Sequence, residues 1–163
     1  MASLFTRIIA GELPGRFVWK DERCVAFLTI APLAPGHTLV VPRDEIDHWI
    51  DLPEDLATHL MTVAQKVGKG IQEAFDPVKV GMMIAGLEVP HVHLHLTPIR
   101  KLQDMNFANQ DPNPDPKDLD AAAERLRDAL RSLGYEHVAS ARGKGGRRPT
   151  CPSCRRSSSP RGR

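Results

Sequence analysis

The chain has 163 residues, 41% of them hydrophobic and 26% charged, with a formal net charge of +2; it fits one domain able to bury roughly two thirds of its unfolded surface. No apolar run approaches the length that spans a bilayer, and the N-terminus lacks a basic segment followed by an apolar core, so no membrane is expected and the cytoplasm is the expected compartment. Three scattered cysteines make no disulfide framework, and so small a charge gives no reason to expect a nucleic acid polymer as partner.

In chain order, Leu4 to Ala10 reads as a short helix, and Phe17 to Lys20, Cys24 to Ile30 and Thr38 to Val41 as strands of one antiparallel sheet. The third strand is punctuated: Pro35-Gly36 makes a turn, a β-branched run follows and Pro42 closes it, with His37 at its start. The period then lengthens. Leu56, Leu60, Val63, Val67 and Ile71 recur every three or four residues and predict a main helix over Pro53 to Phe75, opened by a capping box of Asp51 and Glu54 around Pro53. Gly68 and Gly70 weaken its last turns by up to about 1 kcal/mol each. Val78 to Ala85 and His91 to Ile99 read as two more strands. Asp104 to Pro116, rich in Asn, Asp and Pro, reads as a loop, after which Asp115-Pro116 opens a second helix along Leu119, Ala122, Leu126, Leu130 and Leu133, stopped by Gly134. This is an α+β domain over residues 1–138, followed over 139–163 by a basic tail of Arg, Gly, Ser and Pro that is expected to be disordered. Cys151 and Cys154 in that tail are half of a structural zinc site without a second half, and free thiols are expected there.

The chemistry concentrates in His91-Val92-His93-Leu94-His95-Leu96, where three of the seven histidines alternate with aliphatic residues. On a strand the imidazoles share one face, roughly 6 to 7 Å apart, while Val92, Leu94 and Leu96 face a core. Three titratable rings so close together are poor core material, because each needs a hydrogen-bond partner and their charging is mutually opposed. Zinc is one reading, although the outer rings of an extended strand lie roughly 13 Å apart; three satisfied structural histidines are another. Phosphate chemistry is the third and the best supported, with one ring attacking phosphorus and others donating to its oxygens.

Together with Leu4 to Pro14, Val25 to Pro32 and the Pro35-Gly36-His37 segment, His91 to Thr97 resembles the histidine triad (HIT) nucleotide hydrolases and transferases, whose signature is His-x-His-x-His-x-x with apolar x. Only Thr97 is not clearly apolar. The blocks follow the family's order and spacing over about residues 3 to 138, and the phosphoramidate-cleaving branch is the nearest in pattern. The resemblance implies a five-stranded antiparallel sheet with one long and one or two shorter helices, paired two-fold into a homodimer. It implies a purine nucleotide as substrate, cleaved at a phosphorus–nitrogen or a phosphoanhydride bond as in a nucleoside phosphoramidase or a dinucleoside polyphosphate hydrolase, in a metal-independent reaction without cofactor.

Carried over residue by residue, the resemblance makes His93 the nucleophile that takes up a nucleotidyl group, with His95 and His37 donating to phosphate oxygens and His91 orienting, its ring tied to the other rings. Phe5, Ile8, Ile30 and Val89 would hold the nucleotide, and Thr29 stands where the family commonly has Asp or Asn on the ribose hydroxyls. Leu87 replaces a glutamine of many relatives and their Asn-x-Gly is absent, which keeps open a nucleotide-binding sensor with incidental hydrolysis. Glu88 is the candidate general acid. Ser3, Thr6 and Glu45 occupy positions that hold structural zinc in some relatives, none suited to that role, and His48 is out of step with that motif; no structural zinc is expected.

Overall fold

The structure, a computed structural model, describes residues 1–141. Helix α1 (Leu4–Ile9) is followed by β1 (Arg16–Lys20), β2 (Cys24–Leu28), β3 (Thr38–Pro42), the long helix α2 (Glu54–Phe75), β4 (Lys79–Met83), β5 (Leu94–Ile99) and α3 (Pro116–Ser132). The five strands form one sheet in the order β1-β2-β3-β5-β4, every pairing antiparallel. The α+β class and five-stranded antiparallel sheet expected from the sequence are what the chain forms.

Alternation along the central strands divides the apolar residues between two cores. Cys24, Ala26, Leu28, Val40, Val92, Leu94 and Leu96 join the helices through Leu56, Leu60, Val67, Ile71 and Leu126. Val25, Phe27, Leu39 and Val41, on the opposite face, pack under Phe5 of α1. The histidine row lies on this second face. Burial of both sheet faces explains why β2 and β3 read as unbroken apolar runs rather than half-polar ones.

Helix α2 runs unbroken through both glycines, and Gly70 is what lets α3 approach it. A Cβ at Gly70 would lie 2.6 Å from a Leu130 methyl. The cost in helix propensity is offset by close packing of two helices. The capping box is a correction: Asp51 sits in a single 3₁₀ turn (Trp49–Asp51) and Pro53 is the N-cap, without a side-chain cap bond. Leu52 is extended, as a residue before proline tends to be, so Asp51 is carried away from the helix start; Glu54 and Asp55 in the first turn complement the helix dipole instead. Helix α3 starts as expected, Asp115 accepting the Lys117 N–H at 2.8 Å.

The strand expected from His91 begins only at Leu94. His91, Val92 and His93 precede it, the Val92 N–H donating to Ile46 O at 2.7 Å rather than into a ladder. The expected loop after β5 contains two 3₁₀ turns, Leu102–Met105 and Phe107–Asn109. At the C-terminal end the sheet gains a short cover: Lys20 N–H donates to His137 O at 2.9 Å and Ala139 N–H to Val18 O at 3.0 Å. Ala139 is buried, so packing continues past the boundary expected at 138. The tail, with Cys151 and Cys154, lies outside the described residues from 142 onward.

Candidate active site

One face of the sheet, α1 and the segment 84–90 enclose a cleft of about 460 Å³. His93 and His95 line its floor, Phe5, Ile8 and Ile30 its apolar walls. Thr29, Glu88 and Val89 complete the set of sequence candidates that reach it. The cleft is also bounded by Gln110, which the sequence reading missed because it lies in an aperiodic, polar loop.

His93 and His95 are edge-on with centroids 4.8 Å apart, closer than an extended strand alone gives. Phe5 stands edge-on to His93 at 4.9 Å. His93 Nδ1 lies 2.8 Å from His91 O, which can only accept. Nδ1 therefore carries the proton, and the lone pair is left on Nε2, in a ring that lines the cleft.

The tautomer of His95 is fixed by a relay starting at the backbone. Leu33 N–H donates to His37 Nδ1 at 3.0 Å, so the His37 proton is on Nε2, which meets His95 Nδ1 at 3.0 Å. His95 must then hold its own proton on Nε2. Two corrections to the sequence reading follow. His37 is 1% exposed and stands behind His95, so it meets the cleft only through that ring. His91 bonds Pro42 O through Nε2 at 2.8 Å and Ser3 Oγ through Nδ1 at 2.7 Å; it touches His93 with its carbonyl, not its ring.

Burial pushes His37 down from the ordinary histidine range to about 4. It pushes His95 to about 3, with repulsion from His93 and His37 adding to the effect. His93 is lowered by burial too, against the opposing bond to His91 O. All three rings are therefore neutral at neutral pH, a state suited to one lone-pair base beside one N–H donor. A linked stability effect is expected. The unfolded chain takes up protons on these rings near pH 6.5 whereas the native one does not until about 4 and 3, so stability is complete above pH 6.5 and declines on acidification, by about 1.4 kcal/mol per pH unit for each group. Urea unfolding of wild type and His37→Gln from pH 7 to 4.5 measures it: the variant should lose part of that slope.

Ser3, Thr6, Glu45 and His91 do come together. Ser3 N–H donates to Glu45 Oε2 at 2.9 Å, the Thr6 hydroxyl donates to the same oxygen, and Ser3 Oγ donates to His91 Nδ1. This set does not fit zinc: two members are neutral hydroxyls, and the Nδ1 lone pair already has a donor. The other grouping of ligand-type side chains among the described residues is Asp21, Cys24 and His59. There Asp21 Oδ2 accepts from Trp19 Nε1 at 2.8 Å and His59 Nε2 at 2.9 Å, with Cys24 Sγ at 3.5 Å. Burial raises the carboxyl, but the Trp19 and His59 bonds, with the N–H groups of Cys24 and Arg23 that donate to Oδ1 at 2.8 Å, outweigh it and hold Asp21 well below the usual range. Burial also pushes the Cys24 thiol far up, which leaves it a poor ligand.

Ala31 ties the two polar groups at the far end of the cleft. Its N–H donates to Thr29 Oγ1 at 3.3 Å and its carbonyl accepts Gln110 Nε2 at 3.0 Å. The amide oxygen of Gln110 is thus turned away from Ala31 O.

Fold and cleft define a small α+β protein that carries neutral, tautomer-fixed histidines at the floor of an apolar pocket. The HIT domain profile matches residues 10–102. "Protein hit" of Bacillus subtilis is 33% identical over 100 residues, covering 58% of this chain and 69% of that one. The adenosine 5′-monophosphoramidase of Saccharomyces cerevisiae is 33% identical over 100 residues, covering 61% and 63%. Among solved structures, a zinc-bound histidine triad family protein from Mycobacterium smegmatis superposes with a TM-score of 0.71 at 26% identity, covering 82% of this chain and 96% of that chain. The chain belongs to the HIT family, and with it to the nucleotide-binding hydrolases and transferases. No helix among the described residues is long and apolar enough to cross a membrane.

Proposed function

We propose that the protein cleaves the bond between the α-phosphate of a purine nucleotide and its leaving group through a nucleotidyl intermediate on His93. The observation that carries this reading is the protonation pattern: an Nε2 lone pair on His93 beside His95, whose N–H is set by the relay from Leu33. The His93 Nε2–P bond forms as the bond from phosphorus to the leaving group breaks, the leaving group departing with the bonding pair. Water then attacks phosphorus, giving its proton to the Glu88 carboxylate left by the first step, and the His93 Nε2–P bond breaks, which releases the nucleoside monophosphate and returns the lone pair to His93. His95 Nε2–H donates to the phosphoryl oxygens as charge builds on them. His37 and His91 are positioning residues. Glu88, the one carboxyl among the lining residues, is exposed, and we assign it protonation of the departing group. No step needs a metal ion.

Phe5, Ile8 and Ile30 would hold the base. In place of a bidentate carboxylate, Thr29 Oγ1 and the Gln110 amide oxygen would accept from the ribose hydroxyls. If so, Gln110→Ala weakens AMP binding about fivefold while leaving 2′,3′-dideoxy-AMP unchanged, as loss of one hydrogen bond implies; calorimetry with the two ligands checks it, and equal losses would remove the assignment.

The yeast relative's phosphoramidase activity supports a phosphorus–nitrogen substrate. Single-turnover mass spectrometry with adenosine 5′-phosphoramidate tests the reading: a transient adduct of one adenylyl group and release of AMP are expected, and AMP binding without adduct or product would overturn it. One observation favours a second reading, that of a sensor which hydrolyses slowly. Leu87, at the family's glutamine position, is 94% exposed and gives the cleft no polar group. A turnover far below about 1 per second on every nucleotide substrate would decide for it. The two-fold dimer belongs to the same proposal: β4 leaves one edge of the sheet unpaired, beside the exposed Met61 and Met82, and sedimentation at micromolar concentration tests it.

A further inference from the structure

On the far side of the turn before His37 lies a second cleft, also of about 460 Å³. Leu33, Pro35 and Phe75 give it apolar walls, and Arg100 and Arg125 approach it from the segment after β5 and from α3. Among the described residues these two differ from five of the other six arginines. Arg7, Arg16, Arg23, Arg127 and Arg131 are paired with carboxylates, whereas Arg100 and Arg125 have no such partner among the described residues. Both are nevertheless held in place. The Arg125 guanidinium lies 5.3 Å over the Phe75 ring, and Arg100 Nη2 donates to Asp76 O at 3.2 Å. Asp104 also borders the cleft, but its Oδ2 accepts the N–H groups of Arg100 and Lys101 at 2.8 and 3.1 Å, which turns that charge toward the backbone.

We propose that this cleft is a second ligand site, for a phosphate-bearing small molecule, and that its wall couples it to the histidine relay. Two guanidinium forks on different elements suit an anion with oxygens in several directions; a carboxylate, with two oxygens in one plane, satisfies one fork. The apolar walls suit a phosphate ester with a non-polar body. The coupling is built from the turn itself. Leu33, in the cleft wall, donates the N–H that fixes His37, and Gly36 abuts the Phe75 ring so closely that a Cβ there would lie 2.5 Å from it. An occupant held against Leu33 and Phe75 therefore acts on the residue that sets the proton of His95. Binding in the two clefts is then reciprocal. The site stands independently of the nucleotidyl-histidine reading, since it is tested by binding alone.

The experiment is a two-dimensional NMR titration of the full chain with inorganic phosphate, phenyl phosphate and benzoate, following the Arg100 and Arg125 Nε–H signals and the Leu33 amide. Saturable shifts of all three signals with phenyl phosphate, at least tenfold tighter than with benzoate, are expected. Equal affinity for inorganic phosphate would identify the free ion as the ligand, and tighter phenyl phosphate an ester. Arg100→Gln and Arg125→Gln, both at exposed positions, should each weaken binding about tenfold. No saturable arginine shift, or benzoate binding as tightly as phenyl phosphate, would overturn the site. Shifted arginine signals with an unmoved Leu33 amide would overturn the coupling.

Discussion

Replacing His93 by alanine is expected to lower turnover of adenosine 5′-phosphoramidate by about 10⁴-fold or more, while AMP affinity stays within a few-fold. Losing the nucleophile of a covalent mechanism leaves only the binding and electrostatic contributions of the cleft. The walls proposed to hold the base are Phe5, Ile8 and Ile30, of which Phe5 stands edge-on to the His93 ring; removing that ring leaves all three side chains in place, so ground-state binding should survive. The relay predicts a graded series behind this. His95→Ala removes the N–H donor itself and should cost roughly 10²- to 10³-fold, the range for one transition-state donor. His37→Ala leaves the donor but frees its tautomer, and should cost less than His95→Ala. The acid limb of kcat/KM should lie below pH 6.5, because burial keeps His93 and His95 neutral there. Steady-state kinetics of the three variants decide the matter: His93→Ala within tenfold of wild type would remove covalent catalysis on that ring, and His37→Ala costing more than His95→Ala would remove the relay.

The alternation in His91 to Leu96 was enough to separate a core face from a chemical face, because side-chain direction along extended backbone depends on position alone. It was not enough to rank the rings. His37 lies 58 residues from His95, and only the antiparallel register of β3 with β5 brings them together; nothing local in Pro35-Gly36-His37 reveals that Leu33 N–H caps the ring. The Ser3 contact to His91 spans 88 residues and is equally invisible in sequence. Phe107 and Gln110 were missed for another reason. They sit in a polar, proline-rich connection without periodicity, yet Phe107 stacks edge-on to His95 at 4.8 Å and Gln110 is tied to Ala31. The capping box failed because motif spacing says nothing about the extended backbone that Pro53 imposes on Leu52. Chain-local patterns thus carried the elements, and tertiary register decided which histidines meet the cleft.

Gly36 is the position where fold and site meet most tightly, and Gly36→Ala is expected to be the most damaging methyl addition among the described glycines of positive φ. Its φ of +94° lies in a region that costs a residue with Cβ about 1–2 kcal/mol. The new methyl would also stand 2.5 Å from the Phe75 ring, an overpacking worth a further 1–3 kcal/mol, roughly. Gly134 provides the internal control: its φ is +82°, but nothing lies within 4 Å of its Cβ position, so Gly134→Ala bears the backbone cost alone. With about 2–4 °C per kcal/mol for a domain of this size, Gly36→Ala should melt roughly 10 °C below wild type and Gly134→Ala only a few degrees below. The Phe75 ring cannot yield freely, since Arg125 lies over it. The strain therefore passes to the turn, and because His37 is the next residue, the variant should lose turnover even at temperatures where it remains folded. Calorimetric scans of both variants, with activity measured well below either transition, test the argument: equal losses of melting temperature would show that Phe75 gives way, and full activity in Gly36→Ala would show that the relay tolerates a displaced turn.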